Sequence, residues 1–468
     1  MRIADILVSS AEYIGQFVTV QGWIVTSRDQ KELTFLKIND GTHPAGLQII
    51  VETIASNFLV GSSYCIEGYI QQSPAAGQDI ELKAIQIDIL GACGPEYPLT
   101  KSKMSLEYLR DLPHLRARTS TFGSVFRIKS AISQATHAFW SREGYLHLDP
   151  NIMTVNECEG GAGVFQVTER DISVPSTLPL CKEKYTDASG ALQTRVTDQY
   201  DWSRDHFGKP VYLTVSSQLQ LEALACSLGS VYTMNKSFRS EHSSTNKHLS
   251  EFTHLEIETC FGTLDSLMLV AERYIKFIAS SLLTTNADDL NNLDRFVSKG
   301  LVARVTAIRD GPFHRVPYTE AIRIAQGNGK AIVFGDDLSS EVETALTVHY
   351  GGPVFVTDWP FAIKSFYMKQ DPANPTLCHN FDLLMPHKIG ELIGGSMRED
   401  RLPVLLAAME SKGIDPTSMK FYTDLRRYGS VPHGGFGLGF DRLTMLFTGM
   451  ENIRDTVPFP VAYRSCDL

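Results

Sequence analysis

The chain has 468 residues, of which 43% are apolar and 21% charged, and a formal net charge of −10 at pH 7. That length supports two or three domains and a large buried core. The acidic balance excludes an indiscriminately basic nucleic-acid binder but leaves room for a local basic patch. No apolar run reaches the roughly 18 residues of a membrane span. The opening MRIADILVSS carries Asp5 and lacks a signal-peptide core, so a cytoplasmic location with no membrane partner is expected. Eight widely spaced cysteines without a CxxC pair read as free thiols rather than a disulfide framework or a zinc site.

Residues 1–94 are β-rich. Candidate strands run over Phe17 to Ser27, Leu33 to Asn39, Gly46 to Glu52, Ser63 to Gln71 and Ile80 to Ile89, separated by Asp40-Gly41, Gly61 and Pro74 to Gly77. Five short strands in under a hundred residues suit a small closed barrel of the OB type, a fold that often binds oligonucleotides; a purely structural β domain fits the same pattern. Five Lys and Arg face ten Asp and Glu here, so any nucleic acid must be held by stacking and specific contacts more than by bulk charge. Gly94-Pro95 and Pro98 then break structure, and 95–120 reads as a hinge with a basic stretch from Lys101 to Arg118.

From Phe122 to Glu143, Val125, Ile128, Ile132, Ala135 and Phe139 recur at helical spacing until Gly144, and Tyr145 to Pro150 reads as a short strand. NECEGGAGVF, Asn156 to Phe165, is a glycine-rich turn without the Lys-Ser/Thr of a P-loop. About 168–209 is polar and irregular, a surface excursion before an apolar Tyr212 to Val215.

The most informative stretch is FRSEHSSTNKHLSEFTHLEIE, Phe238 to Glu258. Alternation puts Phe238, Ser240 and His242 on one side and Arg239 and Glu241 on the other, then resumes at Phe252, His254, Glu256 and Glu258 after the turn-forming Ser243 to Asn246. A strand, loop and strand of this kind could hold a triphosphate on Arg, Lys and His, a base on Phe252 and an ammonium on a glutamate. A solvated hairpin with ordinary cross-strand ion pairs fits the same residues.

This stretch resembles motif 2 of class II aminoacyl-tRNA synthetases, and PHGGFGLGFDRL, Pro432 to Leu443, resembles their motif 3. Within the class the aspartyl/asparaginyl branch is most similar, the asparaginyl enzymes above all, and the likeness runs from Val18 to the tail at Ile453 to Pro460. The resemblance implies an α+β fold: an antiparallel sheet flanked by helices over 121–468, with the OB-fold barrel of 1–94 as anticodon-binding domain. It also implies a homodimer, formed through the helix, strand and proline that end at Pro150.

The reaction implied is ligation of asparagine to tRNA(Asn) through asparaginyl-adenylate, with ATP as substrate and Mg2+ as cofactor. Such a reaction needs positioning and charge neutralisation more than a nucleophile. By the resemblance, Arg239 holds the α-phosphate, Glu241 lies beside the adenylate or the tRNA end, His248 meets the γ-phosphate, and Phe252 stacks on adenine with Arg442 on its other face and at the γ-phosphate. Gly435, Gly437 and Gly439 let the backbone approach the nucleotide. Glu391 is the metal carboxylate, and the family's accompanying serine is replaced by Gly394. Arg239, Arg442 and Glu391 are thus the catalytic set. Gln218 touches the amino-acid backbone, Glu256 takes the ammonium and Arg398 the side chain, with Glu241 a candidate acceptor for the amide NH2. The aspartyl enzymes carry a lysine where this chain has Leu221, and an arginine without that lysine suits an amide better than a carboxylate. Breaking a buried charge pair costs about 3–5 kcal/mol, which is several hundredfold in discrimination. In the barrel, Phe35 stacks on an anticodon base, Gln48 reads the central uridine and Arg28 lies nearby. Aspartate–tRNA ligase, including a non-discriminating form, and a non-catalytic RNA-binding relative are the alternatives.

Overall fold

The structure is a computed structural model that describes residues 1–52, 58–74, 77–99, 104–155 and 163–466. Five strands close into a barrel: Phe17–Gln30, Leu33–Asn39, Leu47–Val51, Ser63–Gln72 and Ile80–Gly91, in the order first, second, third, fifth, fourth. Each lies within a few residues of the span that alternation predicts. The inward positions, among them Val18, Val20, Leu36, Ile38, Ile49, Ile66 and Leu82, are buried in one apolar cluster, and Ile3 and Ile6 of a short N-terminal helix plug it. Closure removes the free edges that an open five-stranded sheet would expose.

The large body is an eight-stranded sheet. From edge to edge its strands are His314–Pro317, Val354–Thr357, Asn380–Met385, Gly390–Met397, His433–Gly439, Glu251–Cys260, Ser230–Phe238 and Leu146–His147. The pairs are antiparallel except at the two edges, where each outermost pair is parallel. Leu255, Ile257, Phe381, Leu383, Ile393 and Leu438 point into one cluster with the helices Ser120–Arg142, Leu264–Thr285, Leu301–Asp310 and Phe440–Thr448. Because side chains alternate across a strand, the residues between them face the opposite side, where the helix Gln218–Leu228 packs on the sheet. The predicted helix is present over Ser120–Arg142, capped by Thr119, with Val125, Ile128, Ile132, Ala135 and Phe139 buried as their spacing requires.

The connection between barrel and body carries the helices Leu106–Arg110 and Pro113–Arg116. Arg110 grips Asp455 with two bonds of 2.8 Å. Arg116, fully buried over the Phe122 ring, donates to the carbonyls of Arg454 and Pro458 and lies 3.7 Å from Asp455. The barrel touches the body again where Arg127 bonds both Asp289 and the Gly41 carbonyl, and where His43 meets Asp288.

Three expectations need correction. The strand that alternation places at 238–242 is Ser230–Phe238, paired with Glu251–Cys260 from Ser230↔Thr259 to Phe238↔Glu251, so Arg239 and Glu241 lie just past its end. The polar excursion at 168–209 is not irregular: Leu180–Thr186 and Leu192–Tyr200 form an antiparallel hairpin, illegible in the sequence because nearly all its side chains meet solvent and none needs to alternate. The strand expected from Tyr145 to Pro150 is reduced to Leu146–His147. The glycine-rich turn falls largely, and Lys101 to Lys103 wholly, outside the described residues.

Candidate active site

The polar face of the sheet floors a cavity of about 480 Å³ lined by Gln218, Arg239, Glu256, Glu258, Glu391 and Arg398, among others. A second cavity of about 260 Å³ opens beside it and shares Arg239, His254, Glu391, Gly394 and Gly437. Together they form one bipartite cleft.

In the larger part, Glu256 is 3% exposed, accepts from the Ser217 amide at 2.9 Å and is also bonded by the Ser216 hydroxyl. A carboxylate has about four acceptor positions, so capacity remains for a ligand's ammonium. Gln218 donates its Nε2 to Glu222 at 3.0 Å, leaving its carbonyl oxygen as acceptor. Arg398 is 3% exposed and forks onto Glu258, and its third nitrogen bonds Ser396 at 2.7 Å. Burial raises the Glu258 carboxyl, while the contact with Arg398 favours its ionised form. Behind Arg398 at 3.8 Å lies Glu222, fully buried, with Tyr422 at 2.7 Å, Arg426 at 2.9 Å and His433 at 3.1 Å around one carboxylate oxygen. Burial penalises that charge, but Arg426, His433 and Arg398 outweigh the penalty and hold the Glu222 carboxyl well below its usual range. Leu221 turns away: it is fully buried in a small cluster with Ala225, Val231 and Cys260 and does not line the cleft.

In the smaller part, Arg239 lies over the Phe252 ring at 5.5 Å, and Glu241, His248, Gly437, Gly439 and Arg442 complete the wall. Arg442 is anchored on the carbonyls of Glu391 and Lys247. His248 is held by Ser243 and Thr245. A Cβ on Gly437 would stand 2.5 Å from the His254 ring, whereas on Gly435 it would stand 2.0 Å from the Ile257 carbonyl and 2.5 Å from the Glu258 carboxyl. Gly435 therefore makes room for sheet backbone and for the Glu258–Arg398 pair.

Over residues 105–462 the chain matches the tRNA synthetases class II (D, K and N), and over 18–90 an OB-fold nucleic acid binding domain. The chain belongs to the class II tRNA synthetases. It is 41% identical, over 97% of its length and 96% of the relative's, to the asparagine–tRNA ligase of Microcystis aeruginosa. It is 38% identical to the chloroplastic/mitochondrial asparagine–tRNA ligase of Arabidopsis thaliana, covering 98% of this chain and 82% of that one. The crystal structure of asparaginyl-tRNA synthetase from Pyrococcus horikoshii complexed with asparaginyl-adenylate superposes with a TM-score of 0.82 at 30% identity, over 97% of this chain and 96% of that one.

In this class II tRNA synthetase the barrel candidates share one outward face. Arg28 and Phe35 are cross-strand partners, with the guanidinium 5.9 Å from the ring centroid. Gln48 pairs across from Lys37, two positions along from Phe35, and its amide reaches Glu81 at 3.5 Å. Two carboxylates carry no role in the sequence reading, one lining the synthetase cleft and one buried behind it. Asp382 lies beside Glu391: a Cβ on Gly394 would be 3.7 Å from one and 2.9 Å from the other. Burial raises the Asp382 carboxyl, Lys364 at 2.7 Å counters this, and the charge of Glu391 adds to it. The signal was an aspartate inside NFDLLM, a strand buried at every position. Glu222 was the other, a carboxylate on the apolar face of a helix.

Proposed function

We propose that the chain is an asparagine–tRNA ligase that activates asparagine with ATP to asparaginyl-adenylate and pyrophosphate and then transfers the acyl group to tRNA(Asn). One observation carries the choice of amino acid. Arg398 reaches the cleft with its charge already matched by Glu258 and, behind it, by Glu222, while position 221 supplies no cation. A neutral amide oxygen can accept from such an arginine, and Glu258 offers an acceptor for the amide NH2. A carboxylate would instead bring a charge that no spare cation matches, since Arg398 is engaged by Glu258, and Arg426 and His433 by Glu222.

Glu256 and the oxygen of Gln218 hold the ammonium. Arg239 neutralises the α-phosphate as the carboxylate attacks it, Phe252 carries the adenine, and His248 and Arg442 hold the β- and γ-phosphates, with Glu241 at the adenylate and Gly437 and Gly439 giving the nucleotide room. Asp382 and Glu391 are a chemically fitting pair for Mg2+, two carboxylates whose mutual repulsion a dication relieves, since magnesium on polyphosphate ordinarily takes one or two protein carboxylates. When bound it supplies further charge neutralisation on the phosphates. We further assign 1–94 to the anticodon, through Phe35, Gln48 and Arg28, 95–120 to a hinge and 121–468 to catalysis. The free cysteines fit a cytoplasmic location. Half-exposed Leu146, on the edge strand beside the Ser120–Arg142 helix, fits a homodimer face, which sedimentation checks.

ATP–pyrophosphate exchange with asparagine and aspartate in parallel tests the reading. Exchange with asparagine, and at least about a hundredfold less with aspartate, is expected, because an uncompensated carboxylate beside the Arg398–Glu258 pair costs that much. Equal or greater exchange with aspartate overturns it.

A further inference from the structure

Near the end of the chain, Ala462 and Ser465 exchange two backbone hydrogen bonds of 2.8 and 2.9 Å, which displays Tyr463 and Arg464 at the tip of a tight turn. Arg464 has φ +59°, in the left-handed region where such a turn ordinarily places glycine or asparagine. The tyrosine ring stacks on His242, with centroids 4.9 Å apart and planes 28° apart, and the Arg464 guanidinium lies 5.1 Å from the same ring. His242 and Arg464 are exposed and Tyr463 half-buried, so the stack of imidazole, phenol and guanidinium is a solvated surface rather than core. Its position is fixed: the Ser250 amide donates to the Val461 carbonyl, and His242 directly follows Glu241 on the wall of the nucleotide cavity.

We propose that this turn receives the single-stranded 3′ end of the tRNA at the mouth of the cleft, with Tyr463 giving its free edge or face to an unpaired base and Arg464 meeting backbone phosphate. The proposal rests on the tRNA-ligase reading. The second half-reaction must bring an RNA terminal ribose to the adenylate, and unpaired RNA is held by aromatic faces and arginine rather than by groove contacts. An arginine kept in a conformation unfavourable to its backbone, over an aromatic ring and beside a reaction site, points the same way.

The test uses the full-length protein, a tRNA transcript and asparagine-dependent ATP–pyrophosphate exchange measured beside charging. For Tyr463→Ala, exchange should stay within about twofold of wild type while kcat/KM for tRNA falls about tenfold or more, the scale of one stacked base, and Tyr463→Trp should retain most of it. Arg464→Gly relieves the left-handed strain, so its thermal midpoint should hold or rise while tRNA charging weakens and depends less steeply on salt. Unchanged charging in both variants overturns the proposal. So does a parallel loss of exchange and charging in Tyr463→Ala, which would make the stack a clamp on the motif 2 loop. Absence of asparagine exchange in the wild type overturns instead the reading beneath it.

Discussion

Glu222 shows how much a single side chain can organise without lining the cleft. It ties Gln218, Tyr422, Arg426 and His433 together and lies behind Arg398. Replacing it with glutamine leaves Arg426 buried without its counter-charge, a loss of about 3–5 kcal/mol in unfolding free energy that denaturant titration would measure. The pH dependence has a definite sign. A depressed carboxyl contributes stability that is full above its unfolded value of about 4.3 and is lost as pH falls below it. His433 moves the other way: burial lowers it, but Glu222 overrides burial and leaves it raised, so its contribution is full below about 6.5 and is lost as pH rises through the raised folded value. Stability measured from pH 3 to 9 should fall on both sides, and Glu222→Gln should flatten both slopes. The charged residues of the motif 2 stretch were legible because Arg239 and Glu241, and again Glu256 and Glu258, stand two apart, although only the second pair lies in a strand. Glu222 and Asp382 were not, because each sits among apolar neighbours and its partners come from distant segments that only the fold brings near.

At the scale of elements, Gly435 and Gly439 look alike in the sequence and differ in their demands. Gly435→Ala would drive a methyl group into the Ile257 carbonyl between two central strands, so its thermal midpoint should fall by many degrees and activity with it. Gly439→Ala meets only the Cβ of Arg442 at 3.6 Å and should fold. Circular-dichroism melts of the pair separate the two. The barrel was legible strand by strand, since one buried face and one wet face force alternation. In the hairpin of Leu180–Thr186 and Leu192–Tyr200 both faces are wet, so composition alone remained. On the barrel's outward face, Gln48→Ala should weaken tRNA charging and leave asparagine exchange intact; equal losses in both would remove the anticodon assignment.

At the scale of the whole molecule, the connection between barrel and body is not a free tether. Asp455 holds Arg110 and Arg116 against the segment from Arg454 to Pro458. Asp455→Asn should therefore speed limited proteolysis within 95–120 and lower the thermal midpoint, and an unchanged cleavage rate would show that the apolar contacts of Phe122 suffice. The order of strands also bears on how the protein is made. His433–Gly439 lies between Gly390–Met397 and Glu251–Cys260, yet it follows every other strand of that sheet in the chain. On a ribosome the barrel can close early, as amino-terminal units do. The catalytic sheet, by contrast, waits as two unjoined halves with open edges facing each other. A nascent chain can thus own a closed OB-fold barrel long before its central sheet is whole, and its most aggregation-exposed moment comes just before its last strand is translated.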